Sequence, residues 1–111
     1  MKILLDPTHA EFTTLEVDGR ILQFTHARRD CGARLIQKLV SLKIQAEDEL
    51  AVIIGPGNFT AVRTACLVGN AVKLLTHCEL SARRKTDLKF KKVANLEPYY
   101  ATAPAITVSK K

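Results

Sequence analysis

Apolar residues gather in three short blocks near the start of the chain, "KILLD" (2–6), "FTTLEV" (12–17) and "RILQFTH" (20–26), and these predict three strands, the first of them buried. Asp18-Gly19 separates the last two. A two-residue type I′ turn needs positive φ at both central positions, which Asp-Gly supplies, so the N-terminal third reads as an antiparallel meander. In "DCGARLIQKLVSLKI" (30–44) the apolar residues fall at 35, 36, 39, 40 and 42. That is helical spacing, with Asp30 placed to cap a helix packed on the sheet. "ELAVIIGPG" then gives an apolar strand at 50–54, closed by Gly55-Pro56-Gly57. Strand after helix predicts a crossover and a parallel pairing with "KILLD". "HCELS" is a candidate last strand.

The segment from about 59 to 75 carries the most informative pattern. At 100° per residue its apolar side chains surround most of a helical cylinder, interrupted only by Arg63, Thr64, Asn70 and Lys73. Such a helix needs cover on two sides, whereas a small two-layer domain covers one. Ala65 and Gly69, four apart, would let another helix approach closely. A partner protein is therefore expected on this helix, with the first helix beside it.

Composition narrows the classes. The 111 residues are enough for one domain with its own core, and 47% of them are hydrophobic, which excludes a disordered chain. No stretch reaches the roughly 18 apolar residues of a membrane span, and the first dozen residues turn polar too soon for a secretory signal, so a cytoplasmic location and no membrane partner are expected. Cys31, Cys66 and Cys78 are odd in number and unpaired in spacing, as packed reduced thiols would be. His9, His26 and His77 are scattered, so no metal site is expected. Cys31 at a helix start invites a lowered thiol pKa and a nucleophile reading, but no base is recognisable beside it. The net charge of +6 is concentrated in "SARRKTDLKFKK" (81–92), where Arg83, Arg84, Lys85, Lys89, Lys91 and Lys92 stand against Asp87 alone. Basic runs can meet phosphates. Phe90 is the one aromatic residue among those charges, so no base-stacking surface is evident from the run itself.

"IGPGNFTAVR" (54–63) has the glycines of a phosphate-binding turn without the lysine of a P-loop, and Thr60 stands where a dinucleotide fingerprint needs its third glycine. Aiming the following helix explains more of these residues. Pro56 stiffens the turn, Asn58 or Thr60 can cap the helix, and Phe59 is expected to plug the core. Arg63 in the first helical turn opposes the helix dipole, a cost that a bond to a loop carbonyl or an acidic group would offset.

"VIIGPGNFTAVRTACLVGNAVKLL" is similar to the G-P-G-S-F-T-G-[LV]-R signature and following helix of the TsaB (YeaZ) family. Asp6 and Thr8 in "ILLDPT" resemble that family's opening I-D-T-S strand, and "LEPYYATAPAITVSKK" resembles its C-terminal P-x-Y segment. The resemblance covers about residues 1–80 and 95–111. Pro7, Asn58 and Ala61 depart from the family's threonine, serine and glycine, and residues 81–95 stand where a usual member has a second lobe.

The resemblance implies an α/β fold: a single RNase-H-like, actin-like (ASKHA) lobe, with a mixed sheet, an antiparallel N-terminal meander and two helices packed on one face. It implies a first lobe at 1–80, a basic connector at 81–94 in place of the second lobe, and an extended tail at 95–111 lying on the lobe. The function implied is that of a non-catalytic scaffold or activator in tRNA threonylcarbamoyladenosine modification, without cofactor. Its partner would be a TsaD (Kae1-like) transferase, with a TsaE-type ATPase and a homodimer as further assemblies and tRNA met indirectly. On that reading Gly55, Pro56, Gly57, Asn58, Phe59, Thr60 and Arg63 form the family loop, and Leu35, Leu39, Val62, Cys66, Gly69 and Lys73 lie near a helix-on-helix interface. Which helical arc faces the sheet is left open by one sequence. The six basic residues of 83–92 are candidates for tRNA contact. The rival readings are a small basic RNA-binding module and an anion- or nucleotide-binding protein using "GPGNFT".

Overall fold

A computed structural model describes residues 1–100. The chain runs β1 (Lys2–Asp6), β2 (Phe12–Val17), β3 (Arg20–Thr25), α1 (Cys31–Ser41), β4 (Glu49–Ile53), α2 (Phe59–Thr76), β5 (Glu79–Arg83) and β6 (Lys91–Lys92). The six strands form one mixed sheet in the order β3-β2-β1-β4-β5-β6. The expected meander is present: β1 pairs antiparallel with β2, and β2 with β3. Asp18 (φ 48°) and Gly19 (φ 89°) both take the positive φ that the tight hairpin demands. The expected parallel pairing is present too, with Ile3 opposite Leu50 and Leu5 opposite Val52.

That register decides where the core sits. Ile3, Leu5, Leu15, Leu50, Val52 and Leu80 are buried on one face of the sheet, and α1 and α2 lie on that face. Leu35 and Leu39 are the buried residues of α1; Val62, Ala65, Cys66, Val68 and Gly69 are those of α2.

Three local details differ from the sequence expectations. Asp30 precedes α1 but makes no side-chain cap, because its carboxylate is taken by the Arg28 guanidinium (Nε to Oδ1, 2.9 Å). The first helix stops at Ser41 rather than 44, where Lys43 turns to positive φ. A sixth strand, absent from the sequence expectation, extends the sheet. β6 pairs antiparallel with β5, Lys92 bridges to Glu79 (2.9 Å), and the Val93 N–H donates to the Leu80 carbonyl (3.0 Å).

Residues 81–83 thus belong to β5, and the chain after β6 runs along α2. Leu96 is buried there, with its N–H and C=O both held by the Asn70 amide (2.6 and 3.0 Å). Tyr99 donates its N–H to the Ile54 carbonyl (2.8 Å). The "AITV" run and Lys110-Lys111 lie outside the described residues. Among the described residues no helix is long and apolar enough to cross a membrane.

Candidate functional site

The strand-to-helix loop is packed against the chain's own backbone. A Cβ on Gly57 would stand 2.6 Å from the Thr8 Cα, and a Cβ on Gly55 (φ 121°) would collide with the Tyr99 carbonyl. The β1–β2 turn is closed by Asp6, whose Oδ1 accepts the Thr8 N–H (2.9 Å) and hydroxyl (2.6 Å). The space a phosphate would need beside these glycines is therefore filled by Thr8 and Tyr99. Asn58 caps α2, its Oδ1 accepting the Ala61 N–H at 2.9 Å. Thr60 is not the cap.

Phe59 does not plug the core. It is 58% exposed and stacks on Tyr100, ring centroids 4.6 Å apart. The offsetting bond expected for Arg63 is also absent among the described residues; its side chain is exposed beside the first turn. Cys31 has a raised thiol pKa, chiefly because burial penalises the thiolate and then because of the Asp30 carboxylate, which is opposite to the lowered value a nucleophile needs. Burial pushes the Cys66 thiol up to about 11.

A cavity of about 580 Å³ opens between the N-terminal ends of α1 and α2, lined among others by His26, Arg28, Arg29, Gly32, Asn58 and Thr60. Arg28 is held by Asp30, and the His26 Nε2 lies 2.8 Å from the Thr13 hydroxyl, so the walls are polar but largely self-satisfied. Among the described residues no cluster of His, Cys, Asp and Glu could hold a metal ion.

The helices carry the larger surface feature, and the residues that form it are not those named from the sequence. Leu35, Leu39, Val62, Cys66 and Gly69 are buried within this chain's own core, and Lys73 donates its Nζ to the Cys78 carbonyl at 2.8 Å. The five buried residues have no surface to offer a partner, and half-buried Lys73 has its ammonium engaged within the chain. The exposed apolar residues are Ile36 and Val40 on α1, and Leu67 (64% exposed), Leu74 (76%) and Leu75 (77%) on α2. Ile36 and Val40 are one helical turn apart; 67, 71, 74 and 75 likewise share one stripe. Apolar cover on two sides of α2 was the expectation, and among the described residues one side remains exposed.

The basic segment is partly self-neutralised. Arg83 Nη1 donates to the carbonyls of Arg84, Lys85 and Asp87, and Arg84 pairs with Asp87 through both guanidinium and carboxylate arms. Lys92 is bound to Glu79. Lys85, Lys89 and Lys91 are exposed and have no ion-pair partner among the described residues.

Comparison with solved structures finds this fold. YeaZ from Pseudomonas aeruginosa superposes with a TM-score of 0.51 at 24% sequence identity, over 75% of this chain and 43% of that one. The fold is YeaZ-like. A protein of P. aeruginosa described as uncharacterized with similarity to peptidase YEAZ matches with a TM-score of 0.49 at 21% identity, over 75% of this chain and 42% of that one. This chain thus spans less than half the length of either YeaZ-like structure. No family model and no curated protein matches the sequence.

Proposed function

We propose that this chain is a non-catalytic scaffold subunit that docks a TsaD (Kae1-like) threonylcarbamoyl transferase and so supports tRNA threonylcarbamoyladenosine modification in the cytoplasm. The observation that carries the reading is the apolar face of α1 and α2 left exposed among the described residues, with Leu67, Leu74 and Leu75 each more than half exposed. Burying such a leucine is worth about 1.5–3 kcal/mol, so a few of them against a complementary helix surface supply much of what association costs. The G-P-G-N-F-T loop motif and the YeaZ-like fold support the choice of partner. The loop's glycines are spent on close packing against Thr8 and Tyr99, which favours a positioning role over nucleotide binding. The mechanism is population shift: a partner whose competent state offers the better match to this face is held in that state.

Light scattering on a sizing column, with the chain alone and mixed with the transferase of the same organism, tests the reading. A mixed complex is expected, and it should be lost in Leu74→Lys/Leu75→Lys, whose circular dichroism and melting remain those of the parent. A chain that ignores the transferase would end the proposal.

A further inference from the structure

The turn between β5 and β6 does not stand free of the molecule. The Lys85 N–H donates to the Gly55 carbonyl at 2.7 Å, seating the basic turn on the strand-to-helix loop. The Arg84 guanidinium lies over the Tyr99 ring, 5.1 Å from its centroid, and Tyr100 stacks on Phe59 next to it. Folding therefore assembles what the sequence keeps apart. Phe59, Tyr99 and Tyr100, from two distant segments, meet the cationic turn at the end of the sheet where β4 and β5 finish.

We infer that this surface binds a single-stranded nucleic acid, with an unstacked base on the exposed Phe59 ring, backed by Tyr100, and backbone phosphates on Lys85, Lys89 and Lys91. Two observations select that ligand. The exposed lysines, without ion-pair partners among the described residues, match a polyanion. Phe59 is 58% exposed and stacks on Tyr100, which rests partly buried against the core, so the pair offers on the Phe59 side a flat face that a splayed base can use. A duplex hides its base faces in the stack, and an acidic peptide would use the lysines but leave the rings idle. The surface lies at the opposite end of α2 from Leu74 and Leu75, about 24 Å away at 1.5 Å per residue. It therefore stands or falls independently of transferase docking.

The test uses the full chain and a labelled oligouridylate of about 15 nucleotides. The chain has two tyrosines and no tryptophan, so its intrinsic emission reports this surface directly. Expected are quenching of tyrosine emission on binding and a slope of log affinity against log salt near about −2, as for three neutralised phosphates on a single strand. Lys85→Ala/Lys89→Ala/Lys91→Ala should flatten the slope. Phe59→Ala should weaken binding roughly tenfold and leave the slope unchanged, and Tyr100→Ala should repeat that result. Absence of binding at low salt, binding without tyrosine quenching, or equal affinity for a blunt RNA duplex would each overturn the inference.

Discussion

Leu96 sits in the notch that Gly69 leaves on α2, so close that a Cβ on Gly69 would collide with the Leu96 Cδ1. The same notch is floored by Val52 and Leu50 of β4, and Asn70 fixes the Leu96 backbone beside it. The glycine thus serves the chain's own C-terminal segment rather than a second helix.

The two residues should be energetically coupled. Leu96→Ala empties a buried site and is expected to cost about 2–5 kcal/mol. In the parent, the gain of about 1 kcal/mol in helix propensity from Gly69→Ala is offset by the displaced leucine. In the Leu96→Ala background that leucine is gone, and the same substitution should stabilise. Urea unfolding of the four proteins measures the coupling, expected at about 0.5–3 kcal/mol; additive effects would mean that the notch is not shared.

Met1 and Asp48 make stability depend on pH in two directions. The N-terminal ammonium is 2.8 Å from Asp48 Oδ1, and the Gln45 N–H donates to Oδ2 at 2.7 Å. The hydrogen bond from the ammonium, then that from Gln45, holds the Asp48 carboxyl below its usual 3.8; the contribution is present above that value and lost as pH falls through the depressed one. The bond to Asp48 raises the ammonium above its usual 8.0; that contribution is full below 8.0 and lost as pH rises through the raised value. Asp48→Asn should reduce the acid limb and flatten the alkaline limb just above 8.0 when urea midpoints are followed across pH. An unchanged alkaline limb would exclude the pair as its source.

The thiols should be unreactive in the folded state. With Cys66 near 11, about one molecule in a thousand carries its thiolate at about pH 8. Cys78 is fully buried, and Cys31 is raised by burial and by Asp30. Ellman's reagent should therefore titrate Cys31 slowly, and Cys66 and Cys78 only in urea. Rapid native labelling of Cys31 would restore it as a candidate nucleophile.

The meander and its hairpin were legible because short apolar blocks and Asp18-Gly19 act locally. The phase of α2 was not. A helix apolar nearly all round has no preferred arc of its own; the buried one here joins the strand side chains and Leu96, which enters from well downstream to sit against Gly69. For the same reason the sequence placed Val62 and Cys66 at an interface and Phe59 in the core. Phe59 turns outward because Tyr100 supplies a ring for it there, a contact between residues that no short window contains. β6 escaped notice because two lysines carry no alternation; strand pairing and Glu79 hold them.

The two arcs of α2 should therefore respond oppositely to charge. Val62 has no exposed surface, so Val62→Lys forces an unpaired ammonium among Ile3, Leu5 and their neighbours, and the chain is expected to unfold. Leu74 and Leu75 project into solvent near the C-terminus of α2, where lysine is a good helix former and its charge complements the dipole. Leu74→Lys/Leu75→Lys should leave stability within about 0.5 kcal/mol of the parent. Thermal melts at several protein concentrations separate the two cases from self-association. If the double variant instead lost stability in step with dilution of the parent, the leucines would already be covered by a second copy of the chain, and the face would belong first to a homodimer.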